Sequence, residues 1–142
     1  EVVALDWEEG GEPNMTLAES EIFCSTVKNS LGRYPIVYGG GLLRDQLQNR
    51  TSPILAQCPL WYVQVQAHAR PTGIPSQVWP NGAILHQYWS QDLEDQVPGI
   101  AAAWGADFPC NDLGCRGADR SRFFGTEDEL RATWPFTRKA QV

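Results

Sequence analysis

The sequence predicts an α/β fold built on parallel strands, and three observations carry that expectation. Short β-branched runs alternate with helical periodicity over the first 50 or so residues. The first run turns acidic at its end, as strands do where a site forms. Beyond that region strand-like runs continue without helices between them.

Val2-Val3-Ala4-Leu5-Asp6-Trp7-Glu8 reads as a buried strand with a functional tip, stopped by Gly10-Gly11 and Pro13. Thr16 followed by Glu19 makes a capping box. Ile22, Phe23, Val27 and Leu31 then recur at helical spacing until Gly32, which predicts a helix burying that face. Tyr34-Pro35-Ile36-Val37-Tyr38 is the next strand, ended by three glycines, and residues 42–49 form a short helix before the turn-rich Arg50-Thr51-Ser52-Pro53.

Leu60-Trp61-Tyr62-Val63-Gln64-Val65 and Ala83-Ile84-Leu85-His86-Gln87-Tyr88-Trp89 are strand-like and separated by a loop rich in Pro and Gly; residues 118–123 are a third candidate. Residues 99–117 read as an irregular insertion. Thr126 and Glu129 form a second capping box, opening a terminal helix through Leu130 and Trp134 that Pro135 ends. No repeat or linker divides residues 1–142, so a single domain is expected.

With 142 residues and 42% hydrophobic content the chain can bury a core. Eleven basic against seventeen acidic residues give a net charge of −6, and no Lys/Arg run tracks a phosphate backbone, which excludes nucleic acid as the expected partner. No stretch reaches the roughly 20 apolar residues of a membrane span. The start, Glu1-Val2-Val3, has neither the basic nor the apolar region of a signal peptide.

Cys24, Cys58, Cys110 and Cys115 allow two disulfides in three pairings, of which Cys110 with Cys115 and Cys24 with Cys58 is the preferred one. Cys-x4-Cys without a second close pair does not match common zinc spacings, so neither metal nor cofactor is expected. Asn14-Met15-Thr16 and Asn49-Arg50-Thr51 are formal glycosylation sequons.

Strand alternation puts Val2, Ala4, Asp6 and Glu8 on one face and Val3, Leu5 and Trp7 on the other. In a parallel α/β barrel Val2 and Ala4 would fill the interior while Asp6 and Glu8 reach the C-terminal rim, where active sites form. Their Cα atoms are about 6.6 Å apart, close enough for each carboxylate to raise the other's proton affinity. Glycoside hydrolysis needs one carboxylic acid to protonate the leaving oxygen and another to stabilise positive charge, so Glu8 is assigned as the acid and Asp6 as its partner.

Leu5-Asp6-Trp7-Glu8 looks superficially like the end of the family 18 chitinase signature, Asp-x-Asp-x-Asp-x-Glu, but Val2 and Ala4 stand where its earlier aspartates belong. The chain as a whole resembles glycoside hydrolase family 25, muramidases on a (β/α)5β3 TIM-like barrel whose fourth strand ends in Asp-x-Glu. Pro35-Ile36-Val37-Tyr38 is similar to the family's fifth strand, Leu60-Trp61-Tyr62-Val63 to its sixth, and Leu85-His86-Gln87-Tyr88-Trp89-Ser90 to its seventh. Val97-Pro98-Gly99-Ile100 resembles the connection that follows. The run from Ala118 through Asp119, Ser121 and Phe123 to Gly125-Thr126 resembles the eighth strand's Val-Asp-x-Asn-x-Phe-x-Gly-Thr.

The resemblance implies a partial barrel with strands four to eight present. It also implies cleavage of the β-1,4 bond between N-acetylmuramic acid and N-acetylglucosamine in bacterial peptidoglycan, with retention. Glu8 would donate the proton, Asp6 would steady the substrate's acetamido group, and Asp119 would be a third active-site carboxylate. Tyr38, Trp61, Gln87 and Tyr88 would line the saccharide cleft, since aromatic faces pack on sugar rings and an amide bonds hydroxyls. The protein is then expected outside the cell or associated with a phage. His86, where the family has Trp, is read as a packed or hydrogen-bonded histidine, and His68 as a loop residue.

The family's first three strand-helix units have no counterpart before Val2. Unpaired edges would result, so the barrel is expected to be completed by an upstream segment or another chain. The reading from another class is a non-catalytic wall-binding or structural module on an incomplete barrel; a chitinase-like glycosidase is a third.

Overall fold

The first apolar run forms strand β1 (Ala4–Trp7), and the computed structural model describes residues 2–11, 13–65, 70–89 and 119–134. Helix α1 (Leu17–Leu31) follows, then β2 (Ile36–Gly39), α2 (Gly41–Leu47), a 3-10 turn (Leu55–Gln57), β3 (Leu60–Val63), β4 (Leu85–Trp89), β5 (Arg120–Phe123) and α3 (Glu127–Thr133). The five strands make one sheet in chain order. β1 to β4 are parallel and β5 returns antiparallel to β4. The architecture is thus mixed α/β on a mostly parallel five-stranded sheet, opening with two strand-helix units as the sequence predicts.

Local chemistry sets the helix ends. Thr16 accepts from the Glu19 backbone N–H while the Glu19 carboxylate accepts from the Thr16 N–H at 2.8 Å, and Thr126 and Glu129 repeat the arrangement. Each box satisfies donors that the first helical turn leaves without partners. α1 ends at Gly32, whose φ of 72° lies in the left-handed region that glycine enters without a Cβ clash.

The face that α1 buries differs from the one its large apolar residues suggest. Ser20 and Cys24 are fully buried, with Leu17 and Phe23 packed beside them, whereas Ile22 is 66% and Leu31 46% exposed. Small side chains at i and i+4 let the helix approach the sheet, and Ser20 Oγ donates to the Leu17 carbonyl at 2.7 Å, so no polar atom is stranded there.

The sheet's covered face carries the core: Leu5, Trp7, Val37, Leu60 and Tyr62 are each no more than 3% exposed and pack with Leu43, Leu47, Leu55 and Val78. Trp7 is wholly buried, and its Nε1–H donates to the Met15 carbonyl at 2.9 Å, tying the strand's end to the entry of α1. Strands lie close here. A Cβ on Gly39 would stand 2.6 Å from the Trp7 carbonyl oxygen, and one on Gly40 2.5 Å from that of Val63, so the two positions accept only glycine without backbone movement.

Around β3 and β4, large side chains add to the cover of the sheet. Trp79 donates through Nε1–H to the Cys58 carbonyl at 2.9 Å, and His86, 1% exposed, stacks on Phe124 at 6.1 Å. The Gln64 carbonyl, 3.0 Å away, can only accept, so His86 Nε2 carries the proton. Burial, partly opposed by this bond, lowers the His86 pKa. His86 is therefore a packed, hydrogen-bonded histidine, as expected; His68 lies outside the described residues.

Cys24 and Cys58 are brought together as expected, but as free buried thiols rather than a disulfide. Hydrogen bonding to Cys24, and then burial, push the Cys58 thiol far above its ordinary range, so the Cys58 sulfur is not a ready nucleophile. Cys110, Cys115 and the insertion at 99–117 lie outside the described residues, as does the Val97-Pro98-Gly99-Ile100 connection.

Two outcomes test this packing. Trp7→Ala removes the largest core side chain and should cost about 3–5 kcal/mol in urea-denaturation stability. Iodoacetamide should leave Cys24 and Cys58 unmodified in the native protein and alkylate both once it is unfolded without reductant, as read by peptide mass spectrometry; a pair that stays unmodified after unfolding would be the disulfide.

Candidate active site

Burying Leu5 and Trp7 on the covered face leaves Ala4 and Asp6 on the other, and alternation continues that face to Glu8 beyond the strand. The parallel register sets Asp6 beside Tyr38 and Tyr38 beside Trp61. On the other side, antiparallel pairing of Gln87 with Ser121 brings Asp119, just before β5, to the same place. Ala4, Asp6, Tyr38, Trp61, Gln87, Asp119 and Ser121 line one cavity of about 380 Å³.

Electrostatics reports the same convergence. Glu8 has its pKa raised, first by burial and then by the negative charges of Asp6 and Asp119. Both effects penalise ionisation, so Glu8 holds a proton to higher pH than an ordinary carboxylic acid. The Tyr38 hydroxyl is pushed up to about 12 by burial and by Glu8, Asp119 and Asp6, partly opposed by its hydrogen bond to Gln87. Tyr38 therefore faces all three carboxylates as a neutral donor.

Side-chain bonds fix the wall opposite the acids. Tyr38 Oη donates to Gln87 Oε1 at 2.8 Å, and Trp61 Nε1–H donates to Ser121 Oγ at 2.9 Å. The Tyr38 and Trp61 rings meet edge to face, with centroids 5.0 Å apart and planes at 71°. The arrangement offers a carboxylic acid of raised proton affinity, two further carboxylates, two aromatic rings and an amide on one surface. That suits proton transfer to a polyhydroxylated ligand.

Of the predicted residues, Asp6, Glu8, Asp119, Tyr38, Trp61 and Gln87 come together. Tyr88 does not. It follows Gln87 in the strand and points to the opposite face, where its ring lies 6.3 Å from His86 and beneath the Arg122 guanidinium. The bulge between Gln87 and Trp89 interrupts pairing at Tyr88 without bringing it round. Ser121, in turn, lines the cavity without having been singled out; the signal available was its i+2 spacing from Asp119.

A larger cavity of about 750 Å³ opens at the opposite end of the strands, around Cys58, Trp79, Phe123 and α3. Among the described residues its one lining carboxylate, Glu129, is committed to the Thr126 cap, which holds its pKa below the ordinary range. The chemistry therefore lies in the smaller cavity. Among the described residues, no cluster of three His, Cys, Asp or Glu side chains has the geometry to hold a metal ion, and no helix is long and apolar enough to cross a membrane.

Solved structures of similar architecture include a muramidase from Trichobolus zukalii (TM-score 0.57, 20% identity) and one from Acremonium alcalophilum (TM-score 0.58, 22% identity). Each match covers 91% of this chain and 53% of the other, so the chain spans about half the length of those proteins. At these identities the likeness is one of fold. No protein-family model and no curated protein sequence matches the chain.

The raised proton affinity of Glu8 has a consequence for stability. Below the ordinary carboxylate value of 4.5 Glu8 is protonated folded and unfolded, and contributes nothing either way. As pH rises through the folded value, the native state ionises less readily than the unfolded one, and stability falls relative to a neutral side chain. Glu8→Gln should therefore raise the thermal midpoint at about pH 7, with the difference vanishing near about pH 3.

Proposed function

We propose that this chain carries the catalytic-acid strand and the C-terminal half of a family 25-type muramidase, a peptidoglycan hydrolase acting outside the cell on bacterial wall. The observation that carries the reading is the convergence of Asp6, Glu8 and Asp119 beside Tyr38, with burial and both neighbouring charges favouring the protonated form of Glu8. The muramidase-like architecture and the succession of strand motifs support the same reading.

The reaction is cleavage of the β-1,4 bond between N-acetylmuramic acid and N-acetylglucosamine. Glu8 gives its proton to the glycosidic oxygen as the bond from that oxygen to C1 breaks. The substrate's own acetamido oxygen closes on C1 from the opposite face, and Asp6 steadies the acetamido N–H as positive charge develops. Water, deprotonated by the Glu8 carboxylate, then opens the cyclic intermediate and restores the starting configuration. Asp119 adds negative charge beside the oxocarbenium-like centre and helps keep Glu8 protonated. Tyr38, Trp61 and Gln87 hold the sugar. In this reading β1 to β5 correspond to the fourth to eighth strands of a (β/α)5β3 barrel, completed by another segment or chain. No step in this scheme uses a metal or cofactor.

In the barrel-complete protein, Glu8→Gln should lower release of reducing ends from peptidoglycan by about 10²–10⁴-fold, the usual worth of a positioned general acid. Undiminished release would defeat the reading. Binding of peptidoglycan fragments with no hydrolysis by the unmutated protein would favour a wall-binding module.

A further inference from the structure

Resting on the muramidase reading, the geometry points to Ser121 as a positioning residue that clamps the Trp61 indole as the saccharide platform beside the carboxylates. Trp61 stands on β3 and Ser121 on β5, with β4 between them, yet Trp61 Nε1–H reaches Ser121 Oγ at 2.9 Å. Two strand spacings amount to about 9.5 Å. The indole must lean across β4 to make that bond, so it extends along the cavity wall.

A second restraint acts on the same ring. Tyr38 meets Trp61 edge to face, and Tyr38 is itself held by Gln87, the cross-strand partner of Ser121. The four residues close a circuit across β2, β3, β4 and β5. Within it, the Ser121 bond fixes the rotation of the indole about its Cβ–Cγ bond, a freedom that the edge-to-face contact with Tyr38 leaves open. A platform set in one orientation binds a sugar ring without first losing rotamer freedom. Ser121 has no proton to exchange with substrate in this scheme; it acts through Trp61.

The test compares Ser121→Ala with Ser121→Thr, which keeps the hydroxyl, in the barrel-complete protein. Ser121→Ala should raise KM for soluble peptidoglycan fragments about 2- to 10-fold, the equivalent of one neutral hydrogen bond, with kcat held within about 2-fold. Ser121→Thr should restore KM. Independently of turnover, the 15N-indole resonance of Trp61, assigned with Trp61→Phe, should move and exchange faster with solvent in Ser121→Ala but stay in place in Ser121→Thr. An unmoved indole resonance, an unchanged KM, or equal losses in kcat and kcat/KM would each overturn the clamp. If the unmutated protein does not hydrolyse peptidoglycan, the muramidase reading fails, while the indole resonance still decides whether Ser121 holds Trp61.

Discussion

The burial of Trp7 is the constraint on which the site depends. It stands between Asp6 and Glu8, wholly enclosed, with its only polar atom satisfied by the Met15 carbonyl. Strand alternation leaves the flanking acids one place to go once that ring is committed to the core. A one-residue slip would drive two carboxylates beneath α1 and bring a tryptophan to the surface, so the apolar face polices the register of the polar one. Sequence periodicity, core packing and acid placement are here a single fact.

The site sets its own charges against one another. Three carboxylates share a face, and Glu8 holds its proton more tightly than an ordinary carboxylic acid, first through burial and then because Asp6 and Asp119 discourage its ionisation. The arrangement costs stability at neutral pH in exchange for an acid that holds its proton to higher pH than an ordinary carboxylic acid. Tyr38 and Gln87 furnish the neutral part of the surface, and burial together with the same negative charges that raise the Glu8 pKa raises that of the Tyr38 hydroxyl. One electrostatic cause thus serves two groups.

Much of this was legible in the sequence because it rests on short-range rules. Both capping boxes, the Gly32 stop and the order of strands and helices follow from spacing within a few residues. Strand ends were less legible: residues 2–8 were expected and Ala4–Trp7 formed, because pairing with β2 decides where a ladder stops. The buried face of α1 was misjudged because hydrophobicity alone points to Ile22 and Leu31, while close approach to the sheet selects Ser20 and Cys24. Tyr88 was misplaced by resemblance to a motif, against the alternation that puts it opposite Gln87. Ser121 escaped notice because its partner, Trp61, is 60 residues away, a distance that no local rule spans.

The two sides of the site are also held by different means. Asp6 and Glu8 sit on strands backed by α1 and α2, where buried apolar area does the holding. Gln87 and Ser121 sit on β4 and β5; among the described residues, the ring of His86 stacked on Phe124 and a cation over each of Phe124 and Tyr88 lie behind them. On that side, hydrogen bonds between side chains on the working face set orientation: Tyr38 to Gln87, Trp61 to Ser121. Bonds of this kind contribute little to stability but restrict rotamers strongly. A site of this design keeps its acids fixed by the core and its binding wall adjustable by single polar residues, which is where differences in ligand preference can arise without disturbing the fold.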